Sequence, residues 1–277
     1  YETSDLTADG RIWGMYSTKR WSIGERCGTY HELGDCYNRE HSFPKSWFND
    51  ASPMVSDAFH IYPTDGKVNG QRSNHPFGEC AGGTSLGTRN GVQALGRLGQ
   101  STYPGYSDIV FEPDDQYKGD FARSYFYMAA AYNDRISSWS SAMLNGSAYP
   151  AFSGWAKEML LKWHRADPVS QKELERNEAV YARQKNRNPF IDHPELAEYI
   201  WGDKAGERWS ANPNREPSIV LPAAGSTVAF GNVSVGYGTT KTVTVKTDNA
   251  KEAVPVTVSG DAFAIVGPGT IAASQGP

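Results

Sequence analysis

The chain has 277 residues, 39% hydrophobic and 12% aromatic, enough for one large globular domain and a smaller one. No run approaches the roughly 18 consecutive apolar residues of a membrane-spanning helix. The opening YETSDLTADG has neither the basic nor the apolar region of a signal peptide, so an exported form is expected to have lost its signal already. The formal net charge of -4 excludes a simple polyanion binder with a uniformly basic surface, leaving a local basic face or a bound cation as ways to meet phosphate.

From Met15 to Glu112 helical periodicity is weak and Gly, Asn and Pro are frequent, the long polar course on which function is usually carried. Three cysteines fall here. Cys27 and Cys36 are the closest pair and a disulfide candidate, with Cys80 left over; three unpaired thiols fit the spacing equally well. Helical spacing then appears in residues 118–133, 154–165, 171–185 and 194–201. Ser170 with Glu173, and Asp192 with Glu195, read as capping boxes. Phe121, Tyr125, Met128 and Tyr132 form a stripe on the first of these helices, read as core packing.

Composition changes near residue 212. ANPNREPS carries two prolines and places a linker at 213–218, between a first domain at 1–212 and a tail at 219–277. The tail segments TVAFGNV, KTVTVKT and VPVTVSG alternate apolar and polar residues as half-buried strands do. They predict a small all-β module of immunoglobulin-like type, incomplete because a whole sandwich takes roughly 100 residues. Its partner is not legible in these residues.

Two segments concentrate residues suited to metal and proton chemistry: YNREHSFPKSWF from Tyr37, and FHIYPTDGKVNGQRSNHPFGE from Phe59. Hydrolysing a phosphodiester needs a deprotonated nucleophile, in-line attack, and stabilisation of charge on the phosphate and on the departing oxygen. A neutral imidazole can take a proton from water near pH 7. A hard cation held by one carboxylate, one amide carbonyl and water can supply the electrostatic part. Glu40, His41 and Asn69 contain that minimal set. Singly each has a blander reading, a surface salt bridge for the Glu-His pair and a turn for an Asn before Gly. Arg72 and Arg123 are the phosphate-binding candidates, because a guanidinium can hold two phosphate oxygens at once; a structural ion pair is the competing reading for both. His60 is left outside the catalytic set as a residue at least as apt to be packed.

Taken together, NREHSFPKSW followed by H-x-x-P-x-D-G-K-V-N-x-x-R-S-N resembles the endonuclease I family of bacterial extracellular and periplasmic nucleases, members of the His-Me finger, or ββα-metal, superfamily. KGDFARSYFYMA from Lys118, LLKWHRADPVS from Leu160 and RNPFIDHPELAEYIW from Arg187 extend the likeness over roughly residues 12 to 202. The resemblance implies an α+β fold with a ββα-metal unit and several helices. It implies that His41 is the general base and that Glu40 and Asn69 bind one divalent cation, Mg2+ first, with Mn2+ and Ca2+ as alternatives. The implied reaction is hydrolysis of DNA and RNA without sequence preference, through backbone contacts, to 5'-phosphate and 3'-hydroxyl ends, by an extracellular or periplasmic enzyme. In such a unit one strand carries His41, a second carries Phe59 to Tyr62, and a short helix opening near Gly66 presents Asn69. Adjacent strand residues point to opposite faces, so an irregularity or a strand end is expected at Glu40 and His41.

The sequence departs from the family pattern in three places. The interval from Trp47 to Ala58 lacks the Arg that some members use on the phosphate, Ala58 stands where Asp is common, and an N-terminal helix found in relatives is expected to be missing. A competing reading is a catalytically inactive, nuclease-like surface or matrix-binding protein; the intact Glu40, His41 and Asn69 weigh against it. Restriction to RNA is a further alternative that keeps the same chemistry.

Overall fold

A computed structural model describes residues 1–85, 87–209, 218–222, 225–230, 232–236, 238–248, 250, 252–267 and 269–272. The chain divides into two compact units, Tyr1–Trp209 and Ser210–Pro277.

The first unit opens with a short antiparallel pair, β1 (Ile12–Trp13) and β2 (Arg20–Trp21). Next come β3 (Tyr37–His41) and β4 (Ile61–Asp65), paired antiparallel with Glu40 opposite Tyr62 and His41 opposite Ile61. Helix α1 (Gly66–Arg72) follows β4 without a loop. Asp65 makes that junction: its carboxylate accepts from the backbone N–H of Lys67 at 2.9 Å and Val68 at 3.3 Å, capping two of the donors that a helix start leaves unpaired. Further on, β5 (Thr84–Ser85), β8 (Arg97–Gln100) and β9 (Ile109–Glu112) form a three-stranded sheet in the order β5-β8-β9, and β6 (Thr88–Arg89) pairs with β7 (Val92–Gln93).

The predicted helices are present as α2 (Lys118–Ala131), α3 (Gly154–Ala166) and α4 (Gln171–Gln184). The helix expected at 194–201 is present as the shorter α6 (Leu196–Ile200), preceded by a further short helix, α5 (Pro189–Asp192). Ser170 and Glu173 form the expected capping box of α4, whereas Asp192 ends α5 instead of capping α6. The Asp192 carboxylate is taken by Arg187 and Asn177, which removes it from the role its spacing implied.

Helix α2 is buried almost all round, as a helix at the centre of a domain must be. Phe121, Tyr125 and Met128 are fully buried in it, and Phe77 packs on Phe121 with ring centroids 4.7 Å apart. Strand β4 joins this core through Tyr62, with Phe43 just after β3 and Phe59 just before β4. The nearby loop is closed by a disulfide between Cys27 and Cys36, with Cα atoms 5.9 Å apart, and Cys80 is a buried free thiol. By loop entropy, Cys27→Ser/Cys36→Ser is expected to lower unfolding free energy by roughly 2–3 kcal/mol, checked by urea denaturation of both forms. An unchanged midpoint would show that the cross-link is energetically idle.

His164 on α3 makes the domain acid-sensitive. Its Nε2 donates to the Pro194 carbonyl at 3.0 Å, and its Nδ1 lies 3.4 Å from Arg123 Nη1 as acceptor, so the buried ring is satisfied only when neutral. Burial, then the Arg123 charge, push its pKa down to about 4 from the ordinary 6.5. A depressed folded pKa means that this contribution is complete above 6.5 and is lost as pH falls toward 4. Relative to His164→Gln, the parent is expected to lose roughly 3 kcal/mol of stability between pH 7 and pH 4. Parallel stability curves for the two proteins would count against the assignment.

In the second unit β10 (Ser218–Leu221) pairs with β11 (Lys246–Asp248), and β12 (Val254–Pro255) with β13 (Thr270–Ile271). Of the linker expected at 213–218, residues 213–217 lie outside the described residues and Ser218 opens β10. Among the described residues the immunoglobulin-like alternation is not realised as strands: TVAFGN contributes none, KTVTVKT only its last two residues, and VPVTVSG only its first two. Val228, Phe230 and Val243 remain 39%, 37% and 43% exposed, with Phe230 packed on Phe263 at 5.7 Å between ring centroids, so among the described residues this side of the pattern is only partly covered.

Candidate active site

Strand β3 has the regular two-residue alternation. Asn38 and Glu40 point to one face and Tyr37, Arg39 and His41 to the other, and His41 is the last residue of the strand. Helix α1 packs on the Asn38–Glu40 face. Asn69 and Arg72, three apart and therefore on one side of the helix, meet Asn38 and Glu40, two apart on the strand. Asn69 Nδ2 donates to Asn38 Oδ1 at 2.7 Å and to the Arg39 carbonyl at 3.3 Å. Arg72 Nη1 lies 3.0 Å from Glu40 Oε1.

The glycine after Asn69 belongs to this contact and not to a turn. A Cβ on Gly70 would stand 2.1 Å from the Tyr30 hydroxyl, so the helix reaches its seat beside Tyr30 only without a side chain there. Asn69 is thus a residue of a helix interior, which corrects the turn reading of an Asn-Gly pair.

Glu40 is buried at 2% exposure. Tyr16 donates its hydroxyl to Oε1 at 2.8 Å, and Arg72 lies on the same oxygen. Burial pushes the carboxyl pKa up, while Arg72 and the Tyr16 hydroxyl act to bring it down. His41 is half-buried, with Nε2 3.0 Å from the Val55 carbonyl. A carbonyl only accepts, so Nε2 carries the proton and Nδ1 is left with the lone pair. Burial holds the His41 pKa below 6.5, opposed by the Val55 bond and assisted by Lys45 and Arg39, so the ring is neutral at pH 7.

The fit of a divalent cation is decided by oxygen donors. The Arg39 carbonyl fixes the Asn69 amide with its nitrogen inward, leaving Oδ1 as the free acceptor. The Tyr16 and Arg72 contacts both fall on Glu40 Oε1, leaving Oε2. One carboxylate and one amide oxygen suit a hard cation that keeps several waters, such as Mg2+. Among the described residues no cluster of three or more His, Cys, Asp or Glu has metal-binding geometry, so a fully protein-built cage is not what the site offers.

The remaining residues singled out in the sequence fall as follows. Arg72 is at the site but 1% exposed; it is tied to Glu40, to the Ser42 carbonyl at 2.8 Å and to the His41 carbonyl at 3.2 Å, with Phe77 under its guanidinium. It braces the strand end. Arg123 is not brought to the group: fully buried in α2, it spends its donors on Glu173 and on the Asp167 carbonyl. His60 is fully buried with Nε2 2.7 Å from the Met54 carbonyl, and burial pushes its pKa down to about 4. Three participants were missed. Asn38 was open to discovery as the residue two before Glu40 on a strand, whereas neither Tyr16 nor the Val55 carbonyl carries a local signal.

These features define a mixed α+β domain built on a β-β-α unit that sets a carboxylate, an amide and an imidazole at one strand end. The chain belongs to the endonuclease I family, whose model, described as Endonuclease I, matches residues 1–195. It is similar to the extracellular ribonuclease of Bacillus amyloliquefaciens, 39% identical over 183 residues, covering 61% of this chain and 55% of that protein. The extracellular ribonuclease of Bacillus subtilis (strain 168) is 38% identical over 175 residues, with 61% and 55% covered. A periplasmic deoxyribonuclease of Aeromonas hydrophila is 25% identical over 182 residues, covering 66% of this chain and 63% of that protein. The chain spans about half the length of the two ribonucleases it matches.

Proposed function

We propose that the chain is a secreted, metal-dependent endonuclease of the His-Me finger type. It hydrolyses DNA and RNA phosphodiester bonds with little sequence preference, leaving 5'-phosphate and 3'-hydroxyl ends, outside the cell or in the periplasm. The observation that carries this reading is that Glu40 and His41 end one strand and Asn69 sits on the helix packed against that strand, all in one β-β-α unit. The relatives, two ribonucleases and a deoxyribonuclease by name, support activity on both sugars.

Glu40 and Asn69 would hold the cation. When bound, a divalent ion, Mg2+ in the first place with Mn2+ and Ca2+ as alternatives, supplies charge stabilisation at the scissile phosphate. His41 Nδ1 takes a proton from the attacking water, whose oxygen forms the new bond to phosphorus as the bond to the 3'-oxygen breaks. The Val55 carbonyl holds the ring in the tautomer this requires. Tyr16 and Arg72 keep the Glu40 carboxylate in place by two contacts to one oxygen.

The test is digestion of supercoiled plasmid and of a structured RNA with and without EDTA. Cutting that stops in EDTA and returns with Mg2+ is expected. Cutting indifferent to EDTA would sink the metal-assisted mechanism, and no cutting with Mg2+, Mn2+ or Ca2+ would favour the inactive binding protein.

A further inference from the structure

His60 stands at the end of the β3–β4 pair, just before β4 begins. Its backbone carbonyl accepts from the N–H of Ser42 at 2.8 Å and from the Ser42 hydroxyl at 3.0 Å, so the residue after His41 is tied to it twice. Its ring lies 5.5 Å from the His41 ring, centroid to centroid, and the Phe48 ring meets it edge-on at 5.9 Å.

The two imidazoles grip successive carbonyls of one turn. Met54–Ser56 is a single turn of 3-10 helix. His60 Nε2 donates to the Met54 carbonyl at 2.7 Å, and His41 Nε2 to the Val55 carbonyl at 3.0 Å. The two carbonyls sit on adjoining rigid peptide planes, so a shift of one is passed to the other. The turn has a second mooring. The Met54 carbonyl also accepts from the Asp57 N–H at 3.0 Å, and the buried Asp57 carboxylate takes the hydroxyls of Tyr127 at 2.7 Å and Tyr132 at 2.6 Å. That contact fixes the turn to the core, and the His60 bond fixes it relative to His41. His60 is fully buried, and an apolar side chain of similar size would fill its space. What the imidazole adds is an N–H on the carbonyl next to the one that holds the candidate base.

We propose that His60 is a positioning residue for His41. By holding the Met54 carbonyl it keeps the Val55 carbonyl in place, and through it the His41 ring in the Nε2–H tautomer that leaves Nδ1 free to take a proton from water. The inference rests on the nuclease reading, and the tautomer is read without turnover. The full chain is labelled with 15N-histidine and its imidazole nitrogens are observed by NMR at neutral pH in EDTA, with His41→Ala assigning the His41 signals. The variants are His60→Leu, which loses the donor, and His60→Gln, whose amide reaches about as far as Nε2. Met159→Ala, buried on α3 in the same core, is the control for lost packing. His60→Asn, with an amide too short to reach Met54, takes the place of His60→Leu where that variant does not fold.

In the parent and in His60→Gln, His41 is expected as a single Nε2–H tautomer, and in His60→Leu both tautomers are populated. Cleavage with Mg2+ follows the same order. In His60→Leu kcat falls roughly 10- to 100-fold, the scale of an ångström-sized misplacement, with KM within about twofold. His60→Gln recovers most of that loss, and Met159→Ala keeps kcat within about twofold of the parent while losing stability. Added to His41→Ala, His60→Leu costs less than about twofold further, because its effect passes through His41. A His41 ring that keeps its single tautomer in His60→Leu overturns the proposal. So does a kcat loss that His60→Gln does not recover, that Met159→Ala matches, or that returns in full on the His41→Ala background. A parent that cuts no substrate, but whose His41 loses its single tautomer in His60→Leu, keeps the coupling and overturns the nuclease reading instead.

Discussion

His41→Ala is expected to reduce cleavage of both plasmid DNA and structured RNA by about 10²- to 10⁴-fold, the usual contribution of a positioned general base. Three observations make the loss catalytic in character. The ring is half-buried at the end of β3, so its removal opens little core. Its Nε2 is held by the Val55 carbonyl, leaving Nδ1 as the basic atom. Burial and the nearby Lys45 and Arg39 keep it neutral at pH 7. The check is a measurement of kcat and of thermal midpoint on the same preparation. A drop in kcat with a midpoint within a few degrees of the parent fits the role. A variant that retains a tenth or more of parental kcat would remove His41 from the mechanism.

Arg72→Ala is expected to be the most damaging substitution for stability, by about 3–5 kcal/mol, because it leaves the Glu40 carboxylate buried with its compensating charge gone. The guanidinium also satisfies the Ser42 and His41 carbonyls and covers the Phe77 ring, so several groups lose a partner at once. Arg72→Lys should recover only part of this, since one ammonium cannot reach Glu40 and both carbonyls in a flat fork. Pairing Arg72→Met with Glu40→Gln removes both charges and should return much of the stability while leaving the protein without its carboxylate ligand. Urea denaturation of the three variants forms the check. A loss below about 1 kcal/mol for Arg72→Ala would mean that Glu40 is not held as an ion at all.

Both expectations bear on how Glu40 and His41 can serve one reaction from adjacent positions. A regular strand sends them to opposite faces, and β3 does so. Glu40 meets α1 through Arg72, and His41 is the terminal residue of the strand, its ring held by the Val55 carbonyl.

Much of this was open to reading in the amino-acid sequence alone. The order strand, strand, helix around Tyr37–Arg72 is implied by the resemblance of its motifs to the endonuclease I family, not by local periodicity, and it is the order the structure has. Helices α2, α3 and α4 and the Ser170–Glu173 capping box follow from residue spacing and local capping chemistry. Glu40, His41 and Asn69 stood out as a candidate set through the motifs that surround them, and they lie on β3 and α1. The two candidate arginines look alike in sequence. Only packing separates them, since Arg123 points into a core that must neutralise it with Glu173, and Arg72 lands on Glu40. Tyr16 and Val55 reach the site over separations of 24 and 14 residues, with no periodicity to announce them. In the tail, alternation is a local property of a strand, whereas a sandwich also needs a second apolar face; among the described residues Val228 and Val243 stay partly exposed and Phe230 meets the Phe263 ring. Local spacing and residue chemistry thus determined the elements and the candidate groups. Which charges are braced and which apolar faces are covered was decided by tertiary contact, because burial and pairing are properties of the assembled interior and not of any one segment.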